Sequence, residues 1–119
     1  MKKPDKPYEP HIMQKYPYIR SKKLTQAARG EVCTFGAPGC DRGSETTVWA
    51  HANYDFTGKG AGIKSSDVFG CFCCAPCHDW YDGRRQIATE TDREFYFWRA
   101  MVRSWNRLIE LGIITVSGA

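Results

Sequence analysis

The chain has 119 residues, a hydrophobic fraction of 42% and a formal net charge of +4. That length suits one small domain, and no apolar run approaches the roughly 20 residues of a membrane span. The charge is uneven. Residues 1–30 hold eight Lys and Arg against Asp5 and Glu9, and the remainder holds nine basic and eleven acidic residues. A basic N-terminal part on a near-neutral body is the electrostatic footprint of a nucleic-acid binder, although a charged tail also serves solubility.

Residues 1–20 read as an extended basic arm, because Pro4, Pro7, Pro10 and Pro17 exclude a regular helix. Residues 21–119 read as the folded domain. Ser21 is an N-cap candidate for a short helix over residues 22–29, which Gly30 ends. Residues 33–42 form a turn-rich stretch, Cys33-Thr-Phe-Gly-Ala-Pro-Gly-Cys40 and beyond. Residues 46–51, Thr-Thr-Val-Trp-Ala-His, have strand-forming character and place His51 at the strand's end. Residues 52–66, with Gly58, Gly60 and Gly62, read as a mobile connector. A second strand is expected over residues 67–73, followed by a helix with Pro76 in its first turn and Gly83 at its end. The last helix is expected from a capping box of Thr91 and Glu94, with Gly112 as its stop. Its repeat of Phe95, Trp98, Val102, Trp105 and Ile109 predicts the face that packs in the core. Arg99, Arg103 and Arg107 lie four apart on another face and suit either phosphate or solvent.

The chain is organised around residues 71–82, which hold four of the six cysteines and His78. Cys74-Ala-Pro-Cys77 is a two-thiolate half-site, and Cys33 with Cys40 supplies another. Four thiolates make the closed tetrahedral site that structural zinc prefers. Cys71 and Cys73 are then surplus and read as small buried hydrophobes, although a register with Cys73 in place of Cys74 is open. Cys-x-x-Cys-His also serves c-type haem attachment, and paired cysteines form disulfides. Both need export, and the segment Met1-Lys-Lys-Pro-Asp-Lys-Pro7 has no apolar h-region. The expected location is therefore the cytoplasm, with no membrane association. A redox pair would want a larger strand–helix fold.

The order strand, His51, loop, strand, knuckle, helix with His78 resembles the ββα-metal, or HNH, nuclease motif. Four blocks narrow the resemblance: Ala27-Ala28-Arg29-Gly30-x-x-Cys33, Thr46-Thr47-Val48-x-Ala50-His51, Gly62-Ile63-Lys64-x-x-Asp67, and Cys74-x-x-Cys77-His78-Asp79. They are similar to a family of small phage and prophage nucleases that includes YbcO. The nuclease domain of the RecA-dependent protein Ref is a more distant relative. The resemblance implies an α+β domain with a zinc-stapled ββα-metal core, a short N-terminal helix and a long C-terminal helix. It also implies a metal-dependent DNA endonuclease of phage or prophage origin, acting in the bacterial host cell. On that reading His51 is the general base, and His78 with Asp82 holds a catalytic Mg²⁺, Mn²⁺ or Zn²⁺. Lys22, Lys23, Arg29, Lys64, Arg84 and Arg85 are the expected contacts to DNA, and a recombination or replication protein is an expected further partner. Two positions depart from the motif. Many HNH nucleases carry an Asp ligand directly before the base histidine, where this chain has Ala50, so either the carboxylate comes from Asp82, Asp79 or Asp67 or the metal is held weakly. The middle Asn has only Asp67 or Asn53 as stand-ins. These gaps leave a non-catalytic zinc module, binding DNA or a protein, as the alternative.

Overall fold

A computed structural model describes residues 18–54, 57, 63–83 and 89–119. Its elements run α1 (Lys22–Gln26), β1 (Val48–His51), β2 (Gly70–Cys73), α2 (Ala75–Tyr81) and α3 (Glu90–Glu110). The fold is the expected α+β type. Ser21 caps α1, its side chain accepting from the Leu24 N–H at 3.2 Å. Residues beyond Gln26 turn rather than continue the helix, and Gly30 takes φ +79°, a left-handed conformation that costs glycine little. Gly83 and Gly112, directly after the C-caps of α2 and α3, also lie at positive φ.

β1 and β2 form an antiparallel hairpin that places Trp49 opposite Phe72 and His51 opposite Gly70. Alternation along the strands divides the core into two. Ala50, Cys71 and Cys73 join a cluster around Phe35, Trp80, Tyr81 and Phe97. Trp49 and Phe72 join Leu24, Ala28 and Leu108 on the other side. Both faces of this small sheet are therefore covered, and every residue of β2 is buried. Gly70 is required by close approach. A Cβ there would lie 2.7 Å from the Ala50 carbonyl oxygen and collide with the Trp49 indole. The indole uses that space to donate to the Asp67 carbonyl at 2.8 Å.

The outer edge of β2 is closed by side chains. The Phe72 N–H donates to Ser104 Oγ of α3 at 2.9 Å, and the Phe72 carbonyl accepts from the Thr34 amide and hydroxyl. An otherwise open edge is thus satisfied within the domain. This contact corrects the expected core face of α3. The helix buries Phe97, Ala100, Ser104 and Leu108 instead. Phe95, Val102 and Ile109 are exposed at 61%, 58% and 45%, while Trp98 and Trp105 are half-buried against the core. Small residues face β2 because Ser104 must come close enough to bond a backbone amide. The N-cap also lies two residues earlier than expected: Thr89 accepts from the Asp92 N–H at 3.1 Å, and its hydroxyl donates to the Asp92 carboxylate.

Candidate metal cluster and cleft

The turn before β1 and the junction of β2 with α2 bring four sulfurs together. The Sγ atoms of Cys33, Cys40, Cys74 and Cys77 all lie within 4.8 Å of one another, and Cys40 to Cys74 is 3.8 Å. Tetrahedral sulfurs about 2.3 Å from a zinc ion would stand about 3.8 Å apart, so the cluster fits a structural metal such as zinc. No disulfide joins any of the six cysteines. Backbone amides point at the sulfurs: Phe35 and Cys74 donate to Cys33 Sγ, and Arg42 donates to Cys40 Sγ, at 3.3–3.4 Å. Such bonds favour the thiolate form and fix its direction. Hydrogen bonds with Cys73 and Cys77, then the two amides, outweigh burial and hold the Cys33 thiol far below its usual range. Burial pushes Cys74 up to about 11. Four thiolates this close repel one another, and a dication among them removes that cost. Cys71 and Cys73 are fully buried, as expected of surplus cysteines, and Cys73 is near enough to interact with Cys33 and Cys77.

Directly after Cys77, α2 carries His78, and Asp82 at its C-cap follows one turn later, with His78 Nδ1 3.4 Å from Asp82 Oδ2. Both side chains are partly exposed. An open cleft of about 300 Å³ is lined by His51, His78, Asp82, Lys64, Asn53 and Ser65, with Trp49 and Ala52. The end of β1 and the start of α2 thus bring the two histidines to one opening. An imidazole nitrogen and a carboxylate oxygen side by side suit a hard divalent ion that completes its shell with water and substrate oxygens. Among the described residues, the four cysteines are the one group of three or more candidate ligands within 4.8 Å.

His51 also borders a second cleft, of about 530 Å³, lined by Arg20, Ser21, Lys22, Thr25, Lys64 and Asp67. There His51 Nε2 lies 2.8 Å from Asp67 Oδ1. Asp67 Oδ2 accepts from the Ser21 N–H at 2.6 Å, and Arg20 stands 3.7 Å from Oδ1. Burial works against the Asp67 charge, but the His51 and Ser21 hydrogen bonds and the Arg20 charge together hold its carboxyl below the usual range. Asp67 therefore meets His51 directly. The backbone N–H of Asn53 donates to the Tyr81 hydroxyl at 3.1 Å, and Asn53 lines the cleft with His51 and His78. Ala50 is 1% exposed and packs in the core. Of the expected DNA contacts, Lys22 and Lys64 border the clefts, while Lys23 and Arg29 are exposed elsewhere on the α1 side. Arg84 and Arg85, the glycines of the connector, and residues 1–17 lie outside the described residues. The described ends of the connector are tied together: Ser65 donates to the Ala52 carbonyl at 2.6 Å and meets Thr57 Oγ1 at 2.8 Å, in buried surroundings.

Residues 22–113 match the family described as "Putative nuclease YbcO". The chain belongs to the YbcO family. The match spans every element from α1 to α3 and includes His51, His78, Asp67 and the four clustered cysteines. A YbcO-like assignment also agrees with a solved structure described as a "putative bacteriophage protein from Escherichia coli str. K-12 substr. MG1655". It is 28% identical with a TM-score of 0.59, over 74% of this chain and 98% of that one. No curated protein matches the chain. The sequence pattern did not point to the Asp67–His51 bond, or to the Ser21 amide behind it. They join residues far apart in the chain, and nothing in their local spacing pairs them.

Proposed function

We propose that this YbcO family member is a zinc-stapled, metal-dependent DNA endonuclease of HNH type, encoded by a phage or prophage. The observation that carries the reading is the single cleft shared by His51, His78, Asp82 and Lys64 beside the four-sulfur cluster. A phosphodiester is shielded by its own charge, so hydrolysis needs an activated water and neutralised oxygens. His51 takes the proton from the attacking water as general base. Lys64 attracts the phosphate at the mouth of the cleft. A divalent ion at His78 and Asp82 would supply charge neutralisation at the phosphate and leaving oxygen. Cys33, Cys40, Cys74 and Cys77 hold the structural zinc, and its role is to lock β2 and α2 to the turn before β1. Lys22, Lys23, Arg29 and Lys64, with Arg84 and Arg85, form the DNA-binding set.

The second reading, a zinc module that binds DNA or protein without cleaving, is favoured by the buried Ala50, which leaves no carboxylate directly before His51. The two are separated by incubating linear, nicked and single-stranded DNA with the protein and Mg²⁺, Mn²⁺ or Zn²⁺, with His51→Ala as control. Ion-dependent cleavage that His51→Ala loses supports the enzyme. Binding without cleavage under every ion supports the module.

A further inference from the structure

Asp67 is charged, 7% exposed and hydrogen-bonded through both oxygens, and these bonds converge on His51. Oδ2 faces a backbone N–H, a group that only donates. Oδ1 faces His51 Nε2. The backbone that carries the carboxylate is fixed by three further sets of bonds. The Asp67 carbonyl is gripped by the Trp49 indole at 2.8 Å. The Asp67 amide donates to the Ile19 carbonyl at 2.8 Å. Arg20 donates to the carbonyls of Ser65 and Lys64 at 2.7 and 2.9 Å. So residues 19–21 run alongside residues 64–67 and hold the aspartate from outside. Among the described residues His51 Nδ1 makes no hydrogen bond, and the imidazole retains 21% exposure.

We propose that Asp67 is a positioning residue that fixes the tautomer of His51, with residues 19–21 as its support. The proposal rests on His51 being the general base. An ionised carboxylate offers only acceptors. Neutral His51 must then carry its proton on Nε2, which leaves the Nδ1 lone pair to take a proton from water. A histidine held by a carboxylate on one nitrogen and working through the other is a recurrent solution for base catalysis. Asp67 acts here by orienting the imidazole, and it is not the metal ligand that Ala50 fails to supply.

The test is Asp67→Asn in the full-length, zinc-loaded chain, read by imidazole ¹⁵N chemical shifts at a pH where the ring is neutral. The His51 signals are assigned by their loss in His51→Ala. Wild-type protein should show the Nε2–H tautomer. In Asp67→Asn the amide oxygen stays with the Ser21 N–H, its NH₂ turns to His51, and the proton should move to Nδ1. Cleavage should then fall by roughly 10²–10⁴-fold in kcat, with little change in KM. An Nδ1–H tautomer in the wild type overturns the proposal, and that spectrum decides the matter even if the variant fails to fold. An unchanged Nε2–H tautomer in a folded Asp67→Asn also overturns it. Wild-type protein that shows the expected tautomer but cuts no DNA overturns the nuclease reading instead, so the two failures are distinct.

Discussion

His51 and His78 line the same cleft but stand in different surroundings. His51 is bonded to Asp67 behind it, whereas His78 of α2 sits beside the C-cap residue Asp82 with more of its surface in solvent. Their removal should therefore fail differently. On the proposed mechanism His51→Ala deletes the proton acceptor and should lower cleavage by roughly 10²–10⁴-fold at any ion concentration. On the same mechanism His78→Ala deletes one ligand of the divalent ion, so raising that ion should recover part of the lost rate. Cleavage measured across a metal titration, with zinc content checked for each variant, tests both. Zinc should stay at the wild-type level, because the clustered ligands are all cysteines. Zinc lost with His51→Ala would sink that separation of roles. The cysteine set was legible in the sequence because ligand spacing within a turn is local chemistry. The Asp67–His51 bond was not, since it depends on the strand register and on the Ser21 amide at the root of α1.

The elements were legible where a cap or a stop is a local event. Ser21, Pro76, Gly83 and Gly112 stand at the ends expected of them, while α1 stops at Gln26, short of Gly30. The face of α3 was misread because bulk is a poor guide to burial where a helix lies close to a strand. The bulky repeat from Phe95 to Ile109 drew the core assignment, but Ser104 needs hydrogen-bond contact with Phe72, and only small neighbours such as Ala100 allow it. Substitution can test the corrected face. Phe97 is fully buried and stacks on Tyr81 at a centroid distance of 5.0 Å, while Phe95 is 61% exposed. Phe97→Ala should cost about 3–5 kcal/mol. Phe95→Ala should stay within about 1 kcal/mol, because it leaves no internal void. Denaturant unfolding of the zinc-loaded variants measures the difference, and equal losses would return the core to the predicted stripe.

At the scale of the whole molecule, two properties follow from how little the regular structure alone supplies. The sheet has two short strands, and one core cluster is built directly around the buried cysteines. Metal binding and folding should therefore be one event. Chelation or Cys77→Ser should abolish cooperative unfolding of the domain, and elemental analysis should find about one zinc per chain. Metal-free protein that melts at the wild-type temperature would sink this.

The second property is the asymmetry of charge. Residues 1–17 carry Lys2, Lys3, Lys6 and Lys15 against two acidic groups, whereas residues 18–30 carry Arg20, Lys22, Lys23 and Arg29 against none. Arg20 is engaged with backbone carbonyls, which leaves Lys22, Lys23, Arg29 and Lys64 exposed for phosphate. Each phosphate contact contributes about 0.9 to the slope of log K against log salt on duplex DNA. Lys22→Gln with Lys64→Gln, at the cleft mouths, should flatten that slope by about 1.8 and lower kcat/KM. If the arm contributes affinity rather than chemistry, deleting residues 1–17 should flatten it by at most about 3.6 and leave kcat at saturating DNA unchanged. The cut belongs after residue 17, since Ile19, Arg20 and Ser21 bond the segment that carries Asp67. A longer deletion, through residue 21, should lower kcat as well. DNA binding across a salt series, paired with single-turnover cleavage, separates the contributions. An unchanged slope in the Lys22→Gln, Lys64→Gln protein would remove the cleft mouths from the DNA path. An unchanged slope after deletion of residues 1–17 would assign their charge to solubility.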